Sequence, residues 1–381
     1  MLGANQRGEH RRLLVTGGGT AGHVTPALAV VQALRQRIPN LDVAWVGSDR
    51  IESHIVPQAE IGFRRIDIRF SYRPLKPVNY NYYLKYILPI IGGKPFRQGL
   101  AAVEAIRPDL VLATGGYVAA PVTWAAQHRN IPTALLEINN PPGLVNWLFA
   151  ENAWRIYAAS AAIAREFHTR CAANKVLVAG YPARRPQRLR ARVCHDHGID
   201  PRRRILLAMG GSLGAGAIHR AVRELLYAAS RSTDKRWRQL AVLNVAGERH
   251  NLRDAVAGSE ALPDGPINYH TVDFLDDAMG ALSASDFYLG RSGAATVGEL
   301  ITCGIPALLV PDPQHSDRQQ YGNADVLVER GQGTVVDQPS INGQLLLNWL
   351  DQHWDQPRVK PPHPAAADLI AEDLLSCWED R

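Results

Sequence analysis

The sequence predicts an α/β protein with two doubly wound parallel-sheet domains. Short apolar strands alternate with helical segments along the chain, which is typical of parallel sheets with helices on both faces. Each half opens with a buried-looking strand that runs into a glycine-rich turn and then a helix. The chain of 381 residues suits two or three domains that each have their own core.

In the first half, the strand at 13–16 leads into the turn Gly17-Gly-Gly-Thr-Ala-Gly22-His23. Thr25 is predicted to cap the following helix, with Pro26 at its first position. Further apolar runs predict strands at 43–46, 110–113 and 133–136.

The second half repeats this arrangement. A strand at 205–209 enters the turn Gly210-Gly-Ser-Leu-Gly214-Ala215, and further strands are predicted at 240–245, 287–289 and 307–310. Ligands of such sheets bind beyond the carboxyl ends of the strands. We therefore expect two Rossmann-like domains that face each other across a cleft, with the boundary near Gly180-Tyr181-Pro182.

The segment 286–323 carries the strongest chemical signal. The turn Ser292-Gly293-Ala294 predicts a helix over 295–303, ended by Gly304, whose first N–H groups suit a phosphate. Glu299 offers a carboxylate to ribose hydroxyls, and Gln319 and Gln320 offer amides to sugar hydroxyls. Each feature also has an ordinary explanation: a common turn, a helix-dipole partner, solvated surface. Together they predict a nucleotide-sugar site.

Composition excludes several classes of protein. No apolar run approaches the ~18 residues needed to span a bilayer. Residues 1–12 are polar and basic, which predicts a disordered extension rather than a secretory signal. The four cysteines are scattered without a C-x-x-C pair, which argues against a disulfide framework and a zinc site. We expect no metal and no cofactor.

The net charge of +6 is concentrated in an arginine-rich stretch at 184–204. A solvated linker, a lipid-headgroup contact and a nucleic-acid contact stay open as its role. Because this stretch lacks aromatic residues, we predict no nucleic-acid partner. The first turn matches G-x-G-x-x-G at Gly17, Gly19 and Gly22. It is a weak dinucleotide signal, because Gly47-Ser48 stands where an acidic residue is required.

The motifs together resemble the MurG family of bacterial N-acetylglucosaminyltransferases over the whole chain beyond about residue 12. The resemblance rests on the first glycine turn with Val24-Thr25-Pro26, and on the segments 114–118 with Pro121, 137–146, 180–184, 210–215, 274–277, 291–299 and 317–323. It implies the GT-B fold and an inverting transfer of GlcNAc from UDP-GlcNAc to the C4 hydroxyl of lipid I in peptidoglycan synthesis. It also implies a peripheral position on the cytoplasmic face of the cell membrane, with an anionic membrane surface and other cell-wall synthesis proteins as candidate partners.

The resemblance also assigns site residues. Donor-binding positions are Thr20, Gly22, Asn139, Arg184, Ser212, Leu275, Ala295, Thr296, Glu299, Gln319 and Gln320. Asn323 is expected to support the loop that carries Gln319 and Gln320. Acceptor-binding positions are Gly19, Thr114, Gly115, Gly116 and Tyr117. His23 is the candidate general base; a structural histidine that binds a loop carbonyl or the acceptor phosphate is the alternative.

The domain assignment places the acceptor and the membrane on residues 13–181 and UDP-GlcNAc on 182–363. A final helix at 364–381 is expected to pack back on the first domain. Aromatic and aliphatic side chains among basic residues predict the membrane contact, at Tyr83, Tyr86, Ile87 and Ile90. A buried helix with a basic rim is the alternative for this segment.

Some positions depart from the family pattern. Leu136, Ile138, Tyr181 and Leu213 replace polar residues, which puts some acceptor contacts and one donor contact in doubt. Two other functions stay open: an epimerase because it shares this fold, and a scaffold because polar residues are lost. A UDP-GlcNAc 2-epimerase would need no acceptor, and a UDP-GlcNAc-binding scaffold at the membrane would not release UDP.

Overall fold

The chain forms two compact units. The computed structural model describes residues 11–68, 93–185, 190–210, 215–247, 265–313 and 319–379. Unit 1 comprises Met1–Arg184 and His363–Arg381, and unit 2 comprises Arg185–Pro362. The last residues of the chain thus belong to the same unit as the first.

Unit 1 is built on a seven-stranded parallel sheet in the order β3-β2-β1-β4-β5-β6-β7. Its strands are β1 Arg12–Thr16, β2 Asp42–Gly47, β3 Gly62–Arg65, β4 Leu110–Ala113, β5 Thr133–Glu137, β6 Arg155–Ala158 and β7 Val176–Val178. Its helices are α1 Ala21–Arg37, α2 Glu52–Gln58, α3 Lys94–Ile106, α4 Ala119–His128, α5 Leu144–Phe149 and α6 Ala161–Phe167. One face packs Leu14 and Val111 of the sheet against Val103 and Val122 of the helices.

Unit 2 is built on a six-stranded parallel sheet in the order β10-β9-β8-β11-β12-β13. Its strands are β8 Arg204–Met209, β9 Leu240–Val245, β10 Asn268–Val272, β11 Phe287–Gly290, β12 Ala307–Leu309 and β13 Gly333–Val335. Its helices are α7 Arg190–Asp196, α8 Gly216–Ser230, α9 Ala278–Ala284, α10 Ala294–Cys303, α11 Gln319–Glu329 and α12 Gly343–His353. Leu206 and Leu289 of the sheet pack with Val222 and Trp349 of the helices.

The predicted fold class is confirmed, because both sheets are parallel throughout and flanked by helices. The eight predicted strands are present. The helix after β11 ends as predicted, with Gly304 in the left-handed conformation at φ 69°.

The predicted start of the first helix is wrong. Helix α1 begins at Ala21 with Thr20 as its N-cap, and Pro26 lies inside the helix rather than at its first position. The extra turn is held by the His23 backbone N–H, which donates to the Thr20 carbonyl at 3.1 Å. The His23 side chain ties the same turn to the neighbouring loop.

Helix α13 (Ala366–Glu379) packs on unit 1 through two carboxylates. Asp373 accepts hydrogen bonds from Arg155 Nε at 2.7 Å and from the Tyr157 hydroxyl at 2.8 Å. Asp368 pairs with Arg37 of α1 at 3.1 Å. Within the described ranges, every helix is too short or too polar to cross a bilayer.

Candidate functional site

Two glycine turns meet at the centre of the unit 1 sheet. Strand β1 pairs with β4, with Thr16 opposite Ala113, so the turns that follow the two strands lie side by side. The strand order reverses between β1 and β4, which is the position where open parallel sheets bind ligands. Gly116 has φ 76°, and a Cβ there would lie 2.6 Å from the carbonyl oxygen of Gly18. Only glycine lets the turns approach this closely.

His23 joins these turns through two reciprocal hydrogen bonds. Its Nδ1 lies 2.7 Å from the carbonyl oxygen of Thr114, and the Thr114 hydroxyl donates to the His23 carbonyl at 2.7 Å. Since a carbonyl only accepts, Nδ1 must carry the proton, and neutral imidazole then has its lone pair on Nε2. Burial lowers the pKa of His23 below its ordinary value of 6.5. The side chain is therefore arranged as a neutral acceptor near pH 7.

A buried carboxylate organises the loop after β5. Glu137 is 2 % exposed, and its Oε2 accepts from Gly143 N–H at 2.8 Å and from Asn146 Nδ2 at 3.0 Å. Its Oε1 accepts from the backbone N–H of Asn139 at 2.8 Å. Burial raises the pKa of Glu137 above its ordinary value. A Cβ on Gly115 would lie 3.3 Å from Asn146 Nδ2, so this loop adjoins the His23 turns.

The replaced residues near this loop point into the core. Leu136 and Ile138 are 2 % and 4 % exposed, and Tyr181 is also buried. Burial, followed by the charge of Glu137, raises the pKa of Tyr181. The apolar replacements thus extend the core of unit 1 around the Glu137 carboxylate.

Sequence reasoning missed a second buried carboxylate. Glu52, the first residue of α2, is fully buried and accepts a hydrogen bond from Gly19 N–H at 2.8 Å. Its position 33 residues beyond the turn hides this contact from motif analysis. The acidic residue at the start of the helix after β2 could have indicated this contact, because β2 pairs with β1 and the segments that follow the two strands lie at the same sheet edge.

Unit 2 repeats the juxtaposition of two turns. Strand β8 pairs with β11, with Met209 opposite Gly290, at the point where this sheet also reverses its order. Helix α10 starts after Gly293, with no capping side chain and no acidic residue in its first turn. Its first N–H groups and the positive end of its dipole therefore suit an anion. Ala295 and Thr296 lie in this first turn, and Glu299 is partly buried on the same helix.

The start of α11 is tied to the β11 turn. The Ser292 hydroxyl donates to the Gln320 carbonyl at 2.7 Å, and Asn323 Nδ2 donates to the Ser292 carbonyl at 3.2 Å. Gln320 Oε1 accepts from the backbone N–H of Asp312 at 2.9 Å. The amide of Gln320 is thereby oriented with its NH₂ group available as a donor. Gln319 precedes it as the first residue of α11.

Arg291 braces the same turn. Its guanidinium donates to the carbonyls of Val310 and Pro311 at 2.8 and 3.0 Å and to Gln338 Oε1 at 2.6 Å. Burial lowers the pKa of Arg291 from its ordinary value. These bonds orient its side chain toward β12 and β13 rather than toward the start of α10.

The remaining predicted residues are distributed over both units. Thr20 is exposed at the start of α1, and Gly22 and Tyr117 are partly buried. Arg184 is the last residue of the first segment of unit 1, and Leu275 is buried after β10, at the edge of the unit 2 sheet. Ser212 and the membrane residues Tyr83, Tyr86, Ile87 and Ile90 lie outside the described residues, as does Leu213.

The structure thus brings the turn residues Gly19, Thr114, Gly115 and Gly116, which the sequence predicts to bind the acceptor, together with His23. It also places Asn139, a predicted donor-binding residue, in unit 1. It places Ala295, Thr296, Glu299 and Gln320 around the β11 turn of unit 2. In the described part of the chain, no group of three or more His, Cys, Asp or Glu side chains could hold a metal ion.

Comparison with known proteins identifies the family. Residues 13–158 match the glycosyltransferase family 28 N-terminal domain, and residues 205–372 match the C-terminal domain of that family. The chain belongs to glycosyltransferase family 28. The sequence-based resemblance to MurG proteins is confirmed.

Two family 28 relatives illustrate the similarity. A protein of Desulforudis audaxviator is 31 % identical over 351 residues, which cover 91 % of each chain. A protein of Exiguobacterium sp. is 32 % identical over 352 residues, which cover 91 % of this chain and 92 % of the relative. Both are named UDP-N-acetylglucosamine–N-acetylmuramyl-(pentapeptide) pyrophosphoryl-undecaprenol N-acetylglucosamine transferase.

Solved structures of similar fold include the MurG of Acinetobacter baumannii, with a TM-score of 0.62 and 22 % identity over 96 % of this chain and 99 % of that one. A putative UDP-N-acetylglucosamine 2-epimerase of Listeria monocytogenes has a TM-score of 0.69 at 14 % identity, covering 97 % of both chains. At these identities the structural likeness establishes the fold alone. The transferase and epimerase folds are alike, and the relatives matched by sequence are named as transferases.

Proposed function

We propose that this family 28 protein transfers GlcNAc, with inversion, from UDP-GlcNAc to the C4 hydroxyl of undecaprenyl-pyrophosphoryl-MurNAc-pentapeptide. The observation that carries the proposal is the match to relatives named for this transfer, at about one-third identity over nine-tenths of the chain. The arrangement of both units supports it, because each offers a ligand position where its sheet reverses.

On unit 2, the first turn of α10 binds the diphosphate of UDP. The amides of Ala295 and Thr296 contact the α-phosphate, and the absence of a capping side chain leaves the helix end open for an anion. Glu299 accepts hydrogen bonds from the ribose hydroxyls. Gln319 and Gln320 contact the GlcNAc, with Gln320 oriented by its bond from Asp312 N–H.

On unit 1, the paired glycine turns bind the pyrophosphate of the acceptor, and His23 accepts the proton. The C4 oxygen bonds to the anomeric carbon as the bond from that carbon to UDP breaks, and the electron pair goes to the β-phosphate oxygen. The hydroxyl proton passes to Nε2 of His23, whose Nδ1–H stays bonded to Thr114. The α10 amides stabilise the charge that develops on UDP.

The lipid-linked acceptor requires access to a membrane surface. We infer that Tyr83, Tyr86, Ile87 and Ile90 contact an anionic bilayer on its cytoplasmic side, which makes the protein peripheral. Replacing Tyr83, Ile87 and Ile90 with Ser should reduce partitioning onto anionic vesicles and leave UDP-GlcNAc binding intact. Unchanged partitioning of the triple variant would refute this contact.

The transfer is tested by UDP release from UDP-GlcNAc, with and without a soluble lipid I analogue. We expect release only with the analogue and a β-linked disaccharide product. His23→Ala should abolish release and retain UDP binding. Formation of UDP-ManNAc without the analogue would favour an epimerase, and UDP-GlcNAc binding without UDP release in either mixture would favour a scaffold.

A further inference from the structure

Glu52 sits underneath the first glycine turn, and its hydrogen bond from Gly19 reaches beyond the start of its own helix. Its Oε1 accepts from the Ser48 N–H at 2.9 Å and from the Ser48 hydroxyl at 2.6 Å, while its Oε2 accepts from Gly19 N–H at 2.8 Å. The side chain is fully buried. One carboxylate thus joins the loop after β2 to the turn after β1.

The turn is shaped around this carboxylate. A Cβ on Gly18 would lie 2.2 Å from the carboxyl carbon of Glu52, and a Cβ on Gly47 would lie 2.7 Å from its Cγ. Only glycine at both positions leaves room for the buried side chain. Gly18 of the first turn and Gly47 at the end of β2 therefore leave space for a protein carboxylate.

The same carboxylate lies beside the turn that carries His23, since it binds the N–H of Gly19, four residues before that histidine. Its negative charge raises the pKa of His23, against the larger lowering by burial. Other ionisable groups face this region. Arg50 Nη1 would lie 3.6 Å from a Cβ on Gly19, and Glu137 lies behind Gly115 through Asn146. Glu52 is the only ionisable side chain whose charge contributes to the shift of His23, within the described residues.

We propose that Glu52 is a positioning residue of the transfer reaction: it fixes the Gly19 turn against which the acceptor pyrophosphate binds, and it supplies the counter-charge when His23 takes up the hydroxyl proton. This inference rests on the proposed function of the His23 site. Glu52 acts through the turn and through His23, and it contacts neither substrate.

The electrostatic part is tested without turnover. The full chain is labelled with ¹³C at histidine Cε1, the His23 signal is assigned with His23→Gln, and its titration is followed by NMR. We expect Glu52→Gln to lower the pKa of His23 further, because a buried negative charge is removed. Glu151→Gln, which removes an exposed carboxylate of unit 1, should leave the titration unchanged. Identical His23 titrations in wild type and Glu52→Gln would overturn the counter-charge role.

The positioning part is tested by kinetics with the lipid I analogue. Glu52→Gln should lower kcat/KM for the acceptor by about tenfold or more, keep the KM for UDP-GlcNAc, and move the acidic limb of the pH profile downward with the His23 titration. Glu52→Asp keeps the charge but shortens the reach to Gly19. Glu52→Asp should keep the pH profile and still lose acceptor kcat/KM. If Glu52→Gln fails to bind UDP and is therefore misfolded, Glu52→Asp replaces it as the test variant.

Wild-type acceptor kinetics in Glu52→Asp would overturn the positioning role. If the wild-type protein released no UDP with the analogue, the proposed transfer would fail. The NMR titration would still decide the effect of Glu52 on His23.

Discussion

Replacing Glu299 gives the sharpest test of the donor site. Glu299 lies three residues beyond Thr296 on α10, about 4.5 Å further along the axis, and i,i+3 residues share a helix face. Its carboxylate can therefore meet the ribose of a nucleotide whose phosphate binds the first turn. In the proposed donor site, Glu299→Ala removes a charged acceptor from the ribose hydroxyls, and a hydrogen bond to a charged group contributes about 1.5–3 kcal/mol.

This loss corresponds to a rise of about 13- to 160-fold in the KM for UDP-GlcNAc. The kcat should change little, because the ribose contact is similar in the ground and transition states. Steady-state UDP release and calorimetric UDP titration measure the two effects. Glu329→Ala, an exposed glutamate on α11, is the matched control. A KM for Glu299→Ala within threefold of the control would refute the ribose assignment.

Three further predictions concern unit 1. Gly116→Ala, whose Cβ would lie 2.6 Å from the Gly18 oxygen, should lower acceptor kcat/KM at least about 100-fold and spare UDP binding, as measured by parallel kinetics and calorimetry. The pKa of His23 in the folded protein lies below its ordinary value of 6.5. Above pH 6.5 His23 is therefore neutral, so the activity and the stability that depend on the neutral side chain are both present. Both should be lost as pH falls through the lower folded pKa, in rate and thermal-melt profiles. Asp373→Ala should cost about 2 kcal/mol by removing the acceptor of the buried Tyr157 hydroxyl and the ion-pair partner of Arg155, and should lower the Tm by about 4–8 °C, whereas the exposed Glu372→Ala should not.

The sequence was most informative where backbone geometry alone dictates the residue. Glycine turns and fully buried apolar strands define the sheet centres, since strands such as β4 and β11 are buried along their whole length. The edge strands were missed because they are less buried and lack such apolar runs. Strand β3, with the sequence Gly-Phe-Arg-Arg, is largely exposed and carries no apolar run.

Contacts between distant parts of the chain were beyond local pattern analysis. The Thr25-Pro26 pair fits a helix start on local preference, and the tie between His23 and Thr114, 91 residues apart, overrides that preference. Glu52 reaches the first turn only because β2 pairs with β1 and returns α2 to the same sheet edge. Glu299 on α10 and Gln320 on α11, in contrast, follow the neighbouring strands β11 and β12, so their common sheet edge was readable from spacing.

The discontinuity of unit 1 also bears on biosynthesis. Residues 185–362 emerge from the ribosome after the seven strands of the first sheet and before helix α13, which unit 1 needs to satisfy Arg155 and Tyr157. Unit 2 is continuous in the chain, so it can complete its fold while unit 1 still lacks its final helix. The nascent protein thus finishes its amino-terminal half last, and a ribosome that stalls before residue 366 leaves that half without its covering helix.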